Sequence, residues 1–228
     1  MSFERYAIYV TPEPGPLADF GAAWLGWDMA RGCHVAHPDL EGLPRPVSEI
    51  TATPRKYGLH GTIKPPFYLA NGTTMGDLQA NIATFCATQA PVELAGLKVA
   101  ELGHFVALVP EGDTANLGRL AGTCVKKLDN HRAPPSADEL ARRRAAGLTS
   151  AQNRHLERWG YPYVMEEFRF HITLTGRLLE EDNAAVRLAL EAAIAPILPK
   201  PFAVKSLTLA GSDTTGMFHE IHRYTLSG

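Results

Sequence analysis

One segment of the chain, residues 168–175, alternates strictly between apolar and polar side chains. The even positions are apolar and the odd positions polar, in the order Phe168, Arg169, Phe170, His171, Ile172, Thr173, Leu174 and Thr175. Such alternation is typical of a half-buried β-strand, because successive side chains of a strand point to opposite faces of its sheet. The segment therefore predicts a strand with an apolar core face and an open face that carries hydrogen-bonding groups and a cation.

A second segment, residues 57–64, follows the same rule more loosely. Its polar face would carry Gly58, His60, Thr62 and Lys64. Both segments contain the triplet His-x-Thr, as His60-Gly61-Thr62 and as His171-Ile172-Thr173. In each predicted strand the His and the Thr share the open face with a cation. Two matched triplets indicate one site that is assembled from two halves of the molecule.

The surroundings of the triplets indicate an internal repeat. Helical spacing of apolar residues predicts a helix after each triplet, at 74–89 and at 181–198. A strand then begins near Val92 in one case and near Phe202 in the other, and a further strand follows each, at 104–109 and at 217–226. A strand and a helix also precede each triplet, at 5–11 with 17–27 and at 104–109 with 114–128.

This order of elements predicts an α+β protein built from a duplicated unit. We expect two lobes of antiparallel sheet, with helices on the outer faces and a cleft between the lobes. The lobes should form a single bilobal domain over residues 1–228, with one repeat at about 1–103 and the other at about 104–228.

Residues 133–163 are additional to the repeated plan and predict a helical hairpin. Ser136 would cap one helix, which ends at Gly147, and the second helix would start near Thr149 and end at Gly160. The basic run Arg142-Arg143-Arg144 is either a solvated face or part of a lid that presents an arginine to a phosphate. The aromatic residues Trp159, Tyr161 and Tyr163 would either stack on a base or pack the insert onto the domain.

Composition and charge favour a small ligand. The 22 basic and 24 acidic side chains give a net charge of −2, which argues against the broad positive surface that binds long nucleic acid. No apolar run approaches the roughly 20 residues that span a bilayer, and the N-terminus enters a strand without an apolar signal segment. We therefore expect a cytoplasmic monomer that binds a small phosphorylated substrate and no membrane.

The remaining histidines and the cysteines predict neither a metal site nor a cofactor. His34-x-x-His37 lies among Gly and Pro residues, and His219-x-x-His222 lies in a predicted strand, where positions i and i+3 face opposite sides. Cys33, Cys86 and Cys124 are odd in number and widely spaced, which fits a reducing compartment better than a disulfide framework or a zinc ribbon.

The paired triplets, about 110 residues apart in a duplicated α+β chain, resemble the two-histidine (2H) phosphoesterase superfamily, which includes 2'-5' RNA ligase-like proteins and cyclic phosphodiesterases. Residues 5–9, 57–67 and 168–177 resemble most the branch that is associated with phosphonate-metabolism operons, and the resemblance spans nearly the whole chain. The superfamily usually has a hydrophobic residue between the His and the Thr. Gly61 stands there in this chain, and a glycine either weakens the packing of a strand or permits a close approach.

The resemblance implies a metal-independent reaction on a 2',3'-cyclic phosphate or a related cyclic phosphodiester. His60 and His171 would act as general acid and base, in an order that the sequence leaves open, and Thr62 and Thr173 would bind phosphate oxygens. Residues that could contact the substrate are Arg169, Lys64, Tyr57 and Tyr163. Two alternatives stay open at this point: a non-catalytic module that binds a nucleotide or phosphate, and an RNA end ligase or phosphodiesterase. A metal-dependent phosphoesterase is a further rival.

Overall fold

A computed structural model describes residues 2–228 of the chain. Eleven strands are found in it: β1 (Arg5–Val10), β2 (Trp27–Asp28), β3 (Cys33–His34), β4 (Gly61–Phe67), β5 (Val92–Leu94), β6 (Gly96–Leu102), β7 (Phe105–Glu111), β8 (Ile172–Thr173), β9 (Phe202–Val204), β10 (Ser206–Ser212) and β11 (Phe218–Thr225). Seven α-helices accompany them: α1 (Pro16–Leu25), α2 (Val47–Ile50), α3 (Met75–Cys86), α4 (Ala115–Lys127), α5 (Ala137–Arg144), α6 (Ser150–Trp159) and α7 (Glu180–Ile194). The predicted α+β class is confirmed.

The main sheet has seven strands in the order β11-β10-β1-β4-β8-β7-β6, and all neighbours are antiparallel. Its two halves meet where β4 pairs with β8. The strands that follow each triplet cross to the other half: β6 and β7 extend the sheet beyond β8, whereas β10 and β11 extend it beyond β1. The short strands β5 and β9, one from each repeat, pair with each other. Each half of the sheet is thus built from both parts of the chain.

Helices cover one face of the sheet. Apolar residues of β1, β4 and β8, such as Ile8, Ile63 and Ile172, form a single core with buried residues of α1, α3, α4 and α7. The opposite face carries a smaller cluster around Tyr9 and Phe218. Among residues 2–228 no helix combines the length and the apolar character that a bilayer span requires.

The insert forms the predicted helical hairpin of α5 and α6. The Ser136 hydroxyl accepts a hydrogen bond from the Glu139 amide at the start of α5. Thr149 and Gln152 form a reciprocal capping box at the start of α6, and Gly160 ends that helix in the left-handed conformation, with φ of 71°. The predicted N-cap at Ser136 and the predicted start of the second helix near Thr149 are confirmed, and each side chain satisfies an amide that has no partner within its own helix.

The strand predicted at 168–175 is much shorter than the alternation suggests. Met165–Glu167 form a 3-10 helix, and only Ile172–Thr173 pair as β8. The amides of Leu174 and Thr175 both donate to the Val106 carbonyl, at 2.9 and 3.2 Å. Because two successive amides share one acceptor, the chain bulges and regular pairing with β7 ends there. The prediction of a full strand was wrong, although the alternation of faces holds across β8.

Candidate active site

β4 and β8 bring the two His-x-Thr triplets together around a single backbone pair. Gly61 lies opposite Ile172 in the antiparallel register. Extending this antiparallel register by one residue in each direction sets His60 opposite Thr173 and Thr62 opposite His171. Residues directly opposite each other share a face, with Cβ atoms about 5 Å apart. Each histidine therefore faces the threonine of the other triplet, in a crossed arrangement with approximate two-fold symmetry.

The crossed triplets line two adjoining cavities on the open face of the sheet. One, of about 370 Å³, is lined by His60, Thr62 and Thr173. The other, of about 280 Å³, is lined by His171 and shares Thr62 and Tyr161 with the first. Volumes near the lower end of the roughly 300–1,000 Å³ range of ligand pockets suit a small molecule.

Backbone carbonyls fix the tautomer of both histidines. His60 Nδ1 lies 3.0 Å from the Gly58 carbonyl oxygen, and His171 Nδ1 lies 2.9 Å from that of Arg169. A carbonyl oxygen can only accept, so each Nδ1 carries a proton and donates it. Nε2 of each ring is thereby left for chemistry, and that of His60 lies 3.2 Å from the Thr62 hydroxyl oxygen. The two imidazoles are oriented in the same way by equivalent contacts.

The surroundings of His60 favour its neutral form. The Tyr9 ring packs on the imidazole with 3.8 Å between the ring centroids. Burial lowers the pKa of His60 to about 4; the Gly58 carbonyl raises that pKa and His171 lowers it further, by smaller amounts. His60 is therefore neutral at pH 7, with a lone pair on Nε2, as a general base must be.

Lys64 does not line either cavity, contrary to the expectation that it shares the open face. Tyr9 lies opposite Thr62, but the next residue of β1, Ile8, lies opposite Lys64, so β4 contains one extra residue. This bulge turns Lys64 toward the core side with Ile8. Its side chain is 2% exposed, and its Nζ lies 3.4 Å from Oδ1 of Asp129. The inference that Lys64 contacts the substrate is corrected accordingly.

The other three predicted contact residues lie near the triplets. The Arg169 guanidinium donates to the carbonyl oxygens of Glu166 and Phe168, both at 2.8 Å, and lines the cavity of His171. Tyr163 lines the same cavity and is exposed. Tyr57 lines the cavity of His60, and its ring centroid lies 5.8 Å from that of the imidazole.

Arg5 and Tyr9 also line the cavity of His60, although neither was predicted to contact the substrate. They alternate on β1 with buried Tyr6 and Ile8, so the alternation rule could have assigned both to the open face. Two arginines of the insert, Arg142 and Arg143, line this cavity as well. Their placement agrees with the alternative in which the insert presents arginines to the ligand.

The glycine between His60 and Thr62 makes room for an aromatic ring. A Cβ at Gly61 would lie 2.3 Å from the ring of Phe170. We expect Gly61→Ala to lower the free energy of unfolding by about 1–3 kcal/mol, as overpacking does. The same change at Gly118, in α4 with open space at its Cβ, should raise it by about 0.5–1 kcal/mol.

Urea unfolding of the two variants checks this expectation. Adding Phe170→Leu to Gly61→Ala should restore part of the lost stability, because the two side chains compete for one space. Wild-type stability of Gly61→Ala alone would contradict it.

No cluster of three or more His, Cys, Asp or Glu residues within the described part of the chain has the geometry of a metal site. His34 and His37 have Nδ1 within 3.3 Å of backbone carbonyl oxygens of the α1 C-terminal region. His219 Nε2 lies 2.8 Å from Asp213. These contacts give the three histidines structural roles.

The model of a family described as "Protein of unknown function (DUF1045)" matches residues 62–219, which is more than half of the chain, and the chain belongs to this family. It is 39% identical over 234 residues to a "Ribose 1,5-bisphosphate phosphokinase PhnN" of Janthinobacterium sp. (strain Marseille), covering 100% of this chain and 52% of that protein. A protein of the same name from Laribacter hongkongensis (strain HLHK9) is 34% identical over 186 residues, covering 78% and 41%. The chain thus spans about half the length of the curated relatives it matches, or less.

Solved structures give more distant matches. A structure of E. coli LigT complexed with NADP+ has 15% identity and a TM-score of 0.46, with 100% of both chains covered. The protein TT0787 of Thermus thermophilus has 16% identity and a TM-score of 0.46, with 98% of both chains covered. A protein described as a phosphoesterase has 18% identity and a TM-score of 0.42, with 100% of both chains covered.

Proposed function

We propose that this member of the DUF1045 family is a metal-independent phosphoesterase that hydrolyses a cyclic phosphodiester. The observation that carries the proposal is the crossed register of β4 and β8, which sets His60 opposite Thr173 and Thr62 opposite His171. Two imidazoles oriented by equivalent carbonyl contacts, with threonine side chains in the same cavities, are the groups that an in-line displacement at phosphorus needs.

In this mechanism His60 is the general base and His171 the general acid. Nε2 of neutral His60 takes a proton from water as the water oxygen bonds to phosphorus. The P–O bond on the opposite side breaks, and the departing oxygen takes a proton from Nε2 of His171. Thr62 and Thr173 donate hydrogen bonds to the non-bridging oxygens, whose charge grows in the transition state. The product is a phosphomonoester beside a free hydroxyl.

We further propose a phosphorylated ribose cyclic phosphate as the substrate, in preference to an RNA end, and a role in phosphonate metabolism. The curated relatives are named for a kinase of ribose 1,5-bisphosphate, which supports a phosphorylated ribose as the substrate class. The resemblance of the triplet segments to the branch associated with phosphonate-metabolism operons supports the metabolic role.

The test is hydrolysis of cyclic phosphates, with and without a nucleobase, in excess chelator and over a range of pH. We expect turnover to persist in chelator. Because burial lowers the pKa of His60 to about 4, the base is deprotonated above that pH, so kcat/KM should fall on the acid side with an apparent pKa near 4 rather than near 6.5. Protonation of His60 explains this fall only where circular dichroism shows that the protein is folded.

Three results would count against the proposal. Activity that is lost in chelator and restored by added metal would indicate a metal-dependent enzyme. Tight binding without turnover would indicate a non-catalytic module. An acid limb near pH 6.5 would mean that desolvated His60 is not the base.

A further inference from the structure

The cavity of His60 is lined by several positively charged side chains that do not belong to the two triplets. Its lining includes three guanidinium groups, those of Arg5, Arg142 and Arg143, and one carboxylate, that of Glu139. Arg143 is paired with Glu139 at 2.9 Å. Within residues 2–228, Arg5 and Arg142 form no ion pair with a carboxylate. The one carboxylate of the cavity is thus paired with Arg143, and two cations without a carboxylate partner favour an anionic ligand.

A buried hydroxyl in the same cavity also lacks a partner. Tyr9 is 0% exposed, and within the described chain its hydroxyl has no hydrogen-bond partner. Burial keeps the pKa of Tyr9 well above its usual range, so the group remains a neutral donor; Tyr57 raises that pKa further and Arg5 lowers it. Buried polar groups almost always have a partner, and a ligand oxygen in this cavity would provide one.

Arg5 lies on the side of β4 away from His171, because it belongs to β1 and β4 separates β1 from β8 in the sheet. Arg5 and Arg142 also line a third cavity beside the insert, together with Arg132, Asp138 and Glu139. The cavity of His171 instead shares Thr62 and Tyr161 with the cavity of His60. A ligand whose reacting phosphorus lies at the triplets would therefore extend toward Arg5 and Arg142.

We propose that Arg5 and Arg142, together with the Tyr9 hydroxyl, bind a second phosphate of the substrate and select sugar cyclic phosphates that carry a phosphomonoester. This inference rests on the proposed function and assigns its specificity to named residues. Guanidinium groups match the geometry and charge of a phosphate dianion. Because Arg142 belongs to α5, the helical insert completes the binding site, and its basic run is more than a solvated face.

The experiment compares kcat/KM for a ribose cyclic phosphate with and without a 5-phosphate. In wild type the phosphorylated compound should be preferred. Arg142→Ala should lower the ratio of the two values by about 10- to 100-fold, since it removes charge-assisted hydrogen bonds to one substrate only. Arg5→Ala should lower the ratio by a similar factor. Arg144→Ala is the matched control, because Arg144 is paired with Glu157 and lines neither cavity; it should leave the ratio unchanged.

Calorimetry with ribose 5-phosphate separates failure of this inference from failure of the proposed function. If wild type hydrolyses neither compound, the proposed function fails. The phosphate subsite would still be supported if wild type binds ribose 5-phosphate, Arg142→Ala weakens this binding and Arg144→Ala does not. An equal loss on both substrates in Arg142→Ala, or no loss on either, would overturn the inference. The inference would also be overturned if Arg142→Ala lowered kcat/KM only for an oligonucleotide that ends in a 2',3'-cyclic phosphate.

Discussion

Replacing His60 or His171 by alanine is expected to lower turnover of a cyclic phosphodiester by roughly 100- to 10,000-fold, because in the proposed mechanism each change removes a group that transfers a proton in the transition state. Both imidazoles are held by a backbone carbonyl through Nδ1. Alanine therefore deletes the reactive Nε2 while the carbonyl that oriented the ring stays in place. Rates under saturating and limiting substrate, with folding checked by circular dichroism, measure the effect.

Threonine variants are the matched comparison for this prediction. If Thr62 and Thr173 only donate hydrogen bonds to phosphate oxygens, Thr→Val at either position should cost about 1–3 kcal/mol of transition-state stabilisation, which overlaps only the lower end of the range expected for loss of a histidine. Thr→Ser, which keeps the hydroxyl, should lie close to wild type. A Thr→Val variant as impaired as His60→Ala would mean that the hydroxyl takes part in proton transfer.

The double variant distinguishes two independent groups from one catalytic unit. If His60 and His171 act in a single displacement, as we propose, replacing both should cost far less than the product of the two single effects. Wild-type-like turnover in either single variant, with substrate binding intact, would leave the two-histidine mechanism without support.

Local patterns were enough to predict most elements of the fold. Apolar spacing predicts α3 and α7, and the polar and acidic residues at 136–139 predict the start of α5. These elements form from contacts between residues that are close in sequence, so their signals are local. The crossing of β6, β7, β10 and β11 between the two halves has no such signal, since strand pairing depends on contacts between distant parts of the chain.

In the candidate site, too, local features could be predicted from the sequence and contacts between distant segments could not. Alternation is sufficient to put each His and Thr on one face, because it depends only on the pleat of the strand. It fails at Lys64, where a bulge in β4 reverses the face. Pro65 and Pro66 directly follow, and proline within a central strand is typical of a bulge, so the sequence contained a signal that the alternation rule does not use. Alternation also does not show that Phe170 covers Gly61 or that Tyr9 covers His60, since these are contacts between strands whose register the sequence does not specify.

Removing the carboxylate that faces Lys64 is expected to destabilise the protein strongly. Lys64 has 2% of its side chain exposed, and Asp129 is the carboxylate with which it pairs. Burial lowers the pKa of Lys64, and Asp129 raises it by a smaller amount. Asp129→Ala leaves a buried ammonium and also unpairs Arg132, which lies 2.9 Å from the same oxygen. We expect the free energy of unfolding to fall by about 3–5 kcal/mol, as it does when one partner of a buried pair is lost.

The pH dependence of the Asp129→Ala variant follows from the direction of the Lys64 shift. The folded state holds the Lys64 proton less tightly than the unfolded state does, so the stability of this variant should rise with pH up to the pKa of lysine in the unfolded chain.

Lys64→Met replaces the ammonium with an apolar group of similar length and should be close to wild type in stability. Combined with Asp129→Ala, it should restore much of the stability that Asp129→Ala alone loses. It should also keep the catalytic rate, because Lys64 lines neither cavity of the triplets. If Lys64→Met lost as much turnover as His60→Ala while its fold stayed intact, Lys64 would have to act in the active site. That result would contradict the conclusion that the bulge in β4 turns Lys64 toward the core.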